Sequence, residues 1–178
     1  MISKRRLIYV LLFLVVGLLL WTRQTYYADR WRQVENKEAG FALLYPASWF
    51  NVGPGKLPTR KYIKLCVINF PMVDTIELRV YRTHENDEDI KNYPSFGVWI
   101  AKKNNKNARI LSREKITIGR GDYQGVELLY EDKTYRGRII ELDHQGNIYV
   151  IEINADQRKW GKANAVFEEI LKTFEFLE

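Results

Sequence analysis

From residue 109 to residue 154 the chain repeats one cadence: a run that alternates apolar and polar side chains, then a few turn-forming residues. The runs are 109–118, 123–131, 134–143 and 147–154, and the joints are Gly119-Arg120-Gly121-Asp122, Asp132-Lys133 and His144-Gln145-Gly146. Period-two alternation is the signature of strands with one face on a core. Joints this short leave no room for a crossover, so successive strands must be antiparallel neighbours. The same pattern occurs upstream. Residues 61–70 and 75–82 alternate, the second with Ile76, Leu78 and Val80 opposite Glu77, Arg79 and Tyr81. Residues 31–35 and 41–45 flank the turn Asn36-Lys37-Glu38-Ala39-Gly40, Pro46 ends the second run, and Trp49 to Val52 resumes it briefly. The run 147–154 is apolar on both faces, which predicts a central strand covered on both sides.

Two segments break the strand rhythm. After Pro94, which suits a first helical turn, Phe96, Trp99 and Ile100 recur at three- and four-residue spacing. In 160–173, Trp160, Ala163, Phe167, Ile170, Leu171 and Phe174 form a stripe, with Lys162, Glu168, Glu169 and Lys172 left for solvent. The predicted fold class is α+β: a central antiparallel β-sheet covered by helices.

The amino-terminal segment has a different character. Lys4, Arg5 and Arg6 precede an apolar run over residues 7–21 that includes Leu7, Leu12 and Leu19 and ends at Trp21. No small-residue cleavage signal follows; Arg23, Tyr26 and Tyr27 do, and these suit a headgroup layer. The reading is one transmembrane signal-anchor over 1–21, a juxtamembrane linker over 22–30, and a domain over 31–178. The positive flank places the amino terminus in the cytoplasm and the domain outside it, on a single-pass cell-membrane protein. A cleaved signal peptide and a buried core helix are the alternatives. The one cysteine, Cys66, excludes an intrachain disulfide, so the domain must be held by its core. The chain carries 28 basic and 22 acidic residues; setting aside the three flank cations leaves 25 against 22, too mild for a nucleic-acid partner.

Candidates for chemistry are few. His84, Glu85, Asp87, Glu88 and Asp89 bring together oxygen ligands suited to Ca²⁺ or Mn²⁺, although clustered acids ahead of a helix also suit its dipole. Lys133, Arg136 and Arg138 form a possible basic patch for lipid headgroups or an acidic partner. His144 beside Asp143 is the one imidazole–carboxylate pair, without a nucleophile to make a triad. Gly53-Pro54-Gly55-Lys56 falls short of a phosphate loop, and Arg120-Gly121-Asp122 reads as a turn. No zinc pair, nucleophile elbow or dinucleotide fingerprint is present, and no resident cofactor is expected.

Two motifs look familiar. Gly40-Phe41-Ala42-Leu43-Leu44-Tyr45-Pro46-Ala47-Ser48-Trp49 resembles the "GFxxxYPxxW" opening of the PsbP-like domain, the family of the extrinsic oxygen-evolving subunit of photosystem II. The ending, with Phe167, Ile170 and Phe174 in a helix after an apolar strand, resembles that family's "FxxILxSFxF", Thr173 standing where Ser is common. The resemblance spans about residues 31–176. It implies an α-β-α sandwich in which these motif residues are scaffold. Family members act as extrinsic or assembly factors of photosynthetic complexes, and a distant relative binds the Ran GTPase; all work by binding. The photosynthetic subunit is a soluble lumenal protein, whereas this chain has an anchor-like segment. The expectation is therefore a non-enzymatic, membrane-anchored, extracytoplasmic domain that binds another protein. A metal- or anion-binding module is the first alternative, and a hydrolase using His144 and Asp143 the second.

Overall fold

The computed structural model describes residues 4–26, 30–51, 63–69, 76–84 and 91–177. The element order is α1 (Lys4–Tyr26), β1 (Trp31–Asn36), β2 (Phe41–Pro46), β3 (Phe50–Asn51), β4 (Ile63–Asn69), β5 (Glu77–His84), α2 (Phe96–Asn104), β6 (Arg109–Ile118), β7 (Tyr123–Glu131), β8 (Tyr135–His144), β9 (Asn147–Asp156), a 3₁₀ turn (Gln157–Lys159), α3 (Trp160–Thr173) and β10 (Glu175–Phe176).

Strands β3-β4-β5-β9-β8-β7-β6 form a seven-stranded antiparallel sheet, with β9 at its centre. The first hairpin does not join it. Strands β1 and β2 make a separate small sheet, to which β10 adds as a third strand, Glu175 opposite Ala42 and Phe176 opposite Phe41. The single sheet expected from sequence is thus two. Strand β10, only two residues long, has no signal of its own in the sequence, and is locked by Leu177 N–H donating to the Gly40 carbonyl at 2.9 Å.

Alternation along each strand sends side chains to two cores. Leu78 and Val80, Ile140 and Leu142, and Ile151 and Ile153 face the small sheet and α3, against Phe41, Leu43, Ala163, Phe167, Ile170 and Phe174. Tyr81, Leu128, Tyr130, Ile139 and Val150 face α2, against Phe96 and Ile100. The large sheet is therefore covered on both faces. Phe167 and Phe174 are fully buried, and burying an aromatic ring contributes about 1.5–3 kcal/mol in transfer free energy.

The predicted helices form where the apolar spacing put them, with one shift. Pro94 precedes the first turn of α2; the cap is Ser95, whose hydroxyl accepts from Val98 N–H at 3.3 Å. In the opening motif, Gly40 takes φ +71°, Phe41 is fully buried, and Trp49, 4% exposed, turns back so that its N–H donates to the Pro46 carbonyl at 2.9 Å.

Helix α1 contains Lys4, Arg5, Arg6, Leu7, Leu12, Leu19 and Trp21. The apolar side chains described in it, from Ile8 to Leu19, are exposed, from 42% at Val16 to 79% at Phe13. Among the described residues no helix is long and apolar enough to cross a membrane. The side chains described in α1 lie between Arg6 and Leu19, short of the roughly 20 residues that a span requires.

Candidate functional site

The most unusual group in the domain is the carboxylate of Glu152, on central strand β9 and fully buried. Four donors from three elements converge on it. The Tyr130 hydroxyl donates at 2.6 Å and the Tyr81 hydroxyl at 3.2 Å; the Asn104 amide, from the last turn of α2, donates at 2.9 Å. Arg79 sits directly opposite Glu152 on β5 and approaches with Nη1 at 3.4 Å. The other arm of its guanidinium is held by Glu77. A carboxylate accepts and never donates, so this donor set suits it, and a buried charge is tolerated only with such a shell.

The shell shifts its neighbours. Burial, reinforced by the Glu152 charge, pushes the Tyr81 phenol well above its ordinary range, and the same pair of causes raises Tyr130. Both phenols are therefore fixed as donors. Burial works against the charge of Arg79, but Glu152 and Tyr81 outweigh it and its pKa is raised. Its Nε is buried without a hydrogen-bond partner among the described residues.

Outside this network lies a cleft of about 360 Å³, with Arg79, Asn104 and Tyr130 at its base and Glu77, Asp132 and Asn154 around it. Asp132, in the β7–β8 turn, accepts backbone N–H bonds from Thr134 at 2.6 Å and Tyr135 at 2.5 Å, and one from the Asn105 amide. Burial opposes the ionised form, but these bonds prevail and hold its pKa below the usual carboxylate range. The cleft offers fixed hydrogen-bond donors and acceptors: Arg79 and Tyr130 are held by Glu152, and Asp132 by two backbone N–H groups and Asn105. Such an arrangement suits recognition of a ligand by hydrogen bonding.

Tyr130 is seated by a glycine. Gly137 lies opposite it on β8, and an added methyl group would overlap the Tyr130 ring. Gly137→Ala is expected to cost about 1–3 kcal/mol through overpacking and to lift the Tyr130 hydroxyl off Glu152. A urea unfolding midpoint together with a tyrosine absorbance difference spectrum would show both; an unchanged spectrum would contradict it.

The groups singled out in the sequence lie elsewhere. Arg138 is buried, paired with Glu127 of β7 and with Asn164 and Glu168 of α3, its guanidinium 5.6 Å from the centre of the Phe167 ring. It ties α3 to the sheet. Arg136 lies 5.7 Å from the Trp160 ring, and Lys133 is exposed in the β7–β8 turn. The three do not make one basic surface. His144 stacks flat on Phe176 at 3.7 Å, while Asp143, one residue earlier in the strand, is exposed. Successive strand residues point to opposite faces, so the two form no dyad. His84 closes β5, its side chain and Glu85, Asp87, Glu88 and Asp89 lying outside the described residues, as does the 53–56 segment. Among the described residues no group of three His, Cys, Asp or Glu is placed to share a metal ion. Cys66 lies in β4, opposite Val80. Glu152 itself escaped the sequence reading. The signal available was a lone acid in a run otherwise apolar on both faces.

No protein-family model matches this chain, and no curated protein is similar to it in sequence. Solved structures do share its shape. The solution structure of cyanobacterial PsbP from Synechocystis superposes with a TM-score of 0.59 at 12% identity, covering 82% of this chain and 92% of that one. LpqN of Mycobacterium tuberculosis, described as involved in cell envelope biogenesis, gives 0.48 at 13% identity over 86% of this chain and 95% of its own. A Bacteroides thetaiotaomicron protein gives 0.47 at 16% identity over 83% of this chain and 48% of its own. The last two scores are too low to support a shared fold. From the cyanobacterial overlap, and from a central antiparallel sheet covered by helices on both faces, the domain has a PsbP-like fold.

Proposed function

We propose that this chain is a non-enzymatic domain, tethered to the outer face of the cell membrane by α1, that acts by binding another protein as a stabilising or assembly factor. The observation that carries the tether is α1 itself. It is a 23-residue helix whose described apolar side chains are exposed, on a chain whose other helices are amphipathic and packed on the sheet. Exposed apolar surface on that scale marks a site that something else covers. At 1.5 Å per residue the apolar run over 7–21 is about 22 Å long, against a hydrocarbon core of about 30 Å, so the tether requires the flanking Arg6 and Arg23 to snorkel to the headgroups. Lys4, Arg5 and Arg6 at its start favour an amino terminus inside. The binding role is supported by the PsbP-like fold and by a cleft that presents fixed hydrogen-bonding groups, Arg79 and Tyr130 held by Glu152 and Asp132 by the turn.

Deleting residues 1–26 is expected to move the protein from the carbonate-resistant membrane fraction to the soluble fraction. A deletion product that stays with the membrane would refute the anchor. Affinity purification of the full-length chain from detergent-solubilised native membranes is expected to recover a stoichiometric protein companion. A chain that purifies alone under those conditions would refute the binding role.

A further inference from the structure

The cleft at the end of α2 is floored by one row of residues running across four strands. Glu77 of β5 lies opposite Asn154 of β9, Asn154 opposite Gly137 of β8, and Gly137 opposite Tyr130 of β7. Tyr135 is two residues from Gly137 along β8 and therefore on the same face of the sheet. Asn104 and the C-cap Asn105 come from the end of α2, and Asp132 from the β7–β8 turn.

The side chains described around this space are three carboxamides, two carboxylates, two phenols and one guanidinium. An inorganic anion would face Glu77 and Asp132, and a metal cation would face Arg79, so neither is well matched. Hydrogen-bonding capacity is what remains. A carboxylate accepts at about four lone-pair positions, and a carboxamide both donates and accepts. Among the described residues Glu77 uses its carboxylate on Arg79 alone, and the Asn154 side chain hydrogen-bonds none of them. Tyr135, 42% exposed, adds an aromatic ring open to solvent at the rim.

A sugar ring has the complementary chemistry. Each hydroxyl donates and accepts, which suits carboxylates and carboxamides together, and the C–H face of the ring packs on an aromatic side chain. The cleft, about 360 Å³, falls within the range of about 300–1,000 Å³ of small-ligand sites. Asp132 also borders a second hollow of about 790 Å³, with Asn107, Arg109, Glu131, Lys133 and Thr134, which leaves room for a chain of rings.

We infer that this cleft binds a saccharide. Its hydroxyls donate to Glu77 and exchange hydrogen bonds with Asn154, and one ring face lies against Tyr135. The inference goes beyond the tether and the protein-binding role. It rests on the cleft alone, so its failure would leave both of them standing.

The test is saturation-transfer difference NMR on the full-length chain, held in a zwitterionic detergent without a sugar headgroup. The probes are cellotetraose, maltotetraose and chitotetraose, with glucose and N-acetylglucosamine as their single rings. Inorganic phosphate and tetraglutamate are the ionic competitors. At least one saccharide is expected to bind saturably with a Kd below about 10 mM, the range of a weak, open site. Asn154→Ala and Tyr135→Thr should each weaken it about tenfold, the equivalent of one hydrogen bond or one aromatic contact. Tyr135 is exposed, so Tyr135→Thr should keep the thermal midpoint and remains informative if Asn154→Ala does not fold. A tetramer that binds more tightly than its monomer identifies a glycan chain as the ligand, and equal affinities a free sugar; both support the site. Absence of binding by every saccharide, or binding that Tyr135→Thr leaves unchanged, would overturn it. Displacement of the sugar by phosphate or by tetraglutamate would assign the cleft to an anion or to an acidic protein segment, and would overturn the saccharide assignment.

Discussion

Glu152→Ala is expected to cost the domain about 3–5 kcal/mol, the usual result of removing one partner from a buried ion pair. The carboxylate is fully buried, so its donors are turned inward and lose their common acceptor with it. Arg79 would keep Glu77 as its acidic partner, while the hydroxyls of Tyr81 and Tyr130 and the Asn104 amide would lose the carboxylate as acceptor. Each such orphaned group costs about 1–3 kcal/mol, although the terms overlap and do not add. The urea midpoint reads the total. A loss below about 1 kcal/mol would show that the network is ornamental. A double variant, Glu152→Leu with Arg79→Met, separates charge from packing. Replacing both members of a buried pair by apolar groups is often close to neutral, so it should be much more stable than Glu152→Ala. Comparable instability in the two would mean that Tyr81, Tyr130 and Asn104, rather than the ion pair, dominate.

Phe167→Ala is expected to cost a similar 3–5 kcal/mol, by a different mechanism. The ring is fully buried between α3 and the large sheet, and truncating a buried Phe combines lost transfer energy with a cavity. It also lies beneath the Arg138 guanidinium, so the variant loosens the ion pairs joining Arg138 to Glu127 and Glu168. The two large variants should differ in where the damage falls. Hydrogen exchange in Phe167→Ala should rise first in α3 and β10, which close the small sheet, while α2 stays protected. In Glu152→Ala it should rise in α2, whose Asn104 has lost its acceptor. The same pattern in both would mean that the two cores unfold as one unit, contrary to this assignment.

The elements themselves were legible because their signals are local. Backbone geometry imposes period two on a strand and 3.6 on a helix, so the runs 109–118 and 123–131, and the stripe of 160–173, could be placed from sequence and match β6, β7 and α3. Turn chemistry works at the same range: Asp132 folds the β7–β8 joint by accepting from the two residues that follow Lys133. Antiparallel order and the central place of the last long strand follow from short joints and from apolar residues on both of its faces. The opening and closing motifs pointed to the PsbP-like architecture because they are themselves corners of the core, with Phe41 stacked on Phe174 at 6.1 Å.

What the sequence could not decide depends on residues far apart in the chain. Glu77 and Arg79 look like the wet face of an amphipathic strand, and become part of a buried network only because β5 lies beside β9, setting Arg79 opposite Glu152 across 73 residues. Arg138 looks like a surface cation until α3 folds over it with Glu168. The small sheet formed by β1 and β2 gains its third strand from the last residues of the chain, which return to pair with Phe41 and Ala42. Charge and polarity are written along the chain, but burial is a property of the neighbours. Only the packed fold determines which charged side chain meets water and which meets another charge.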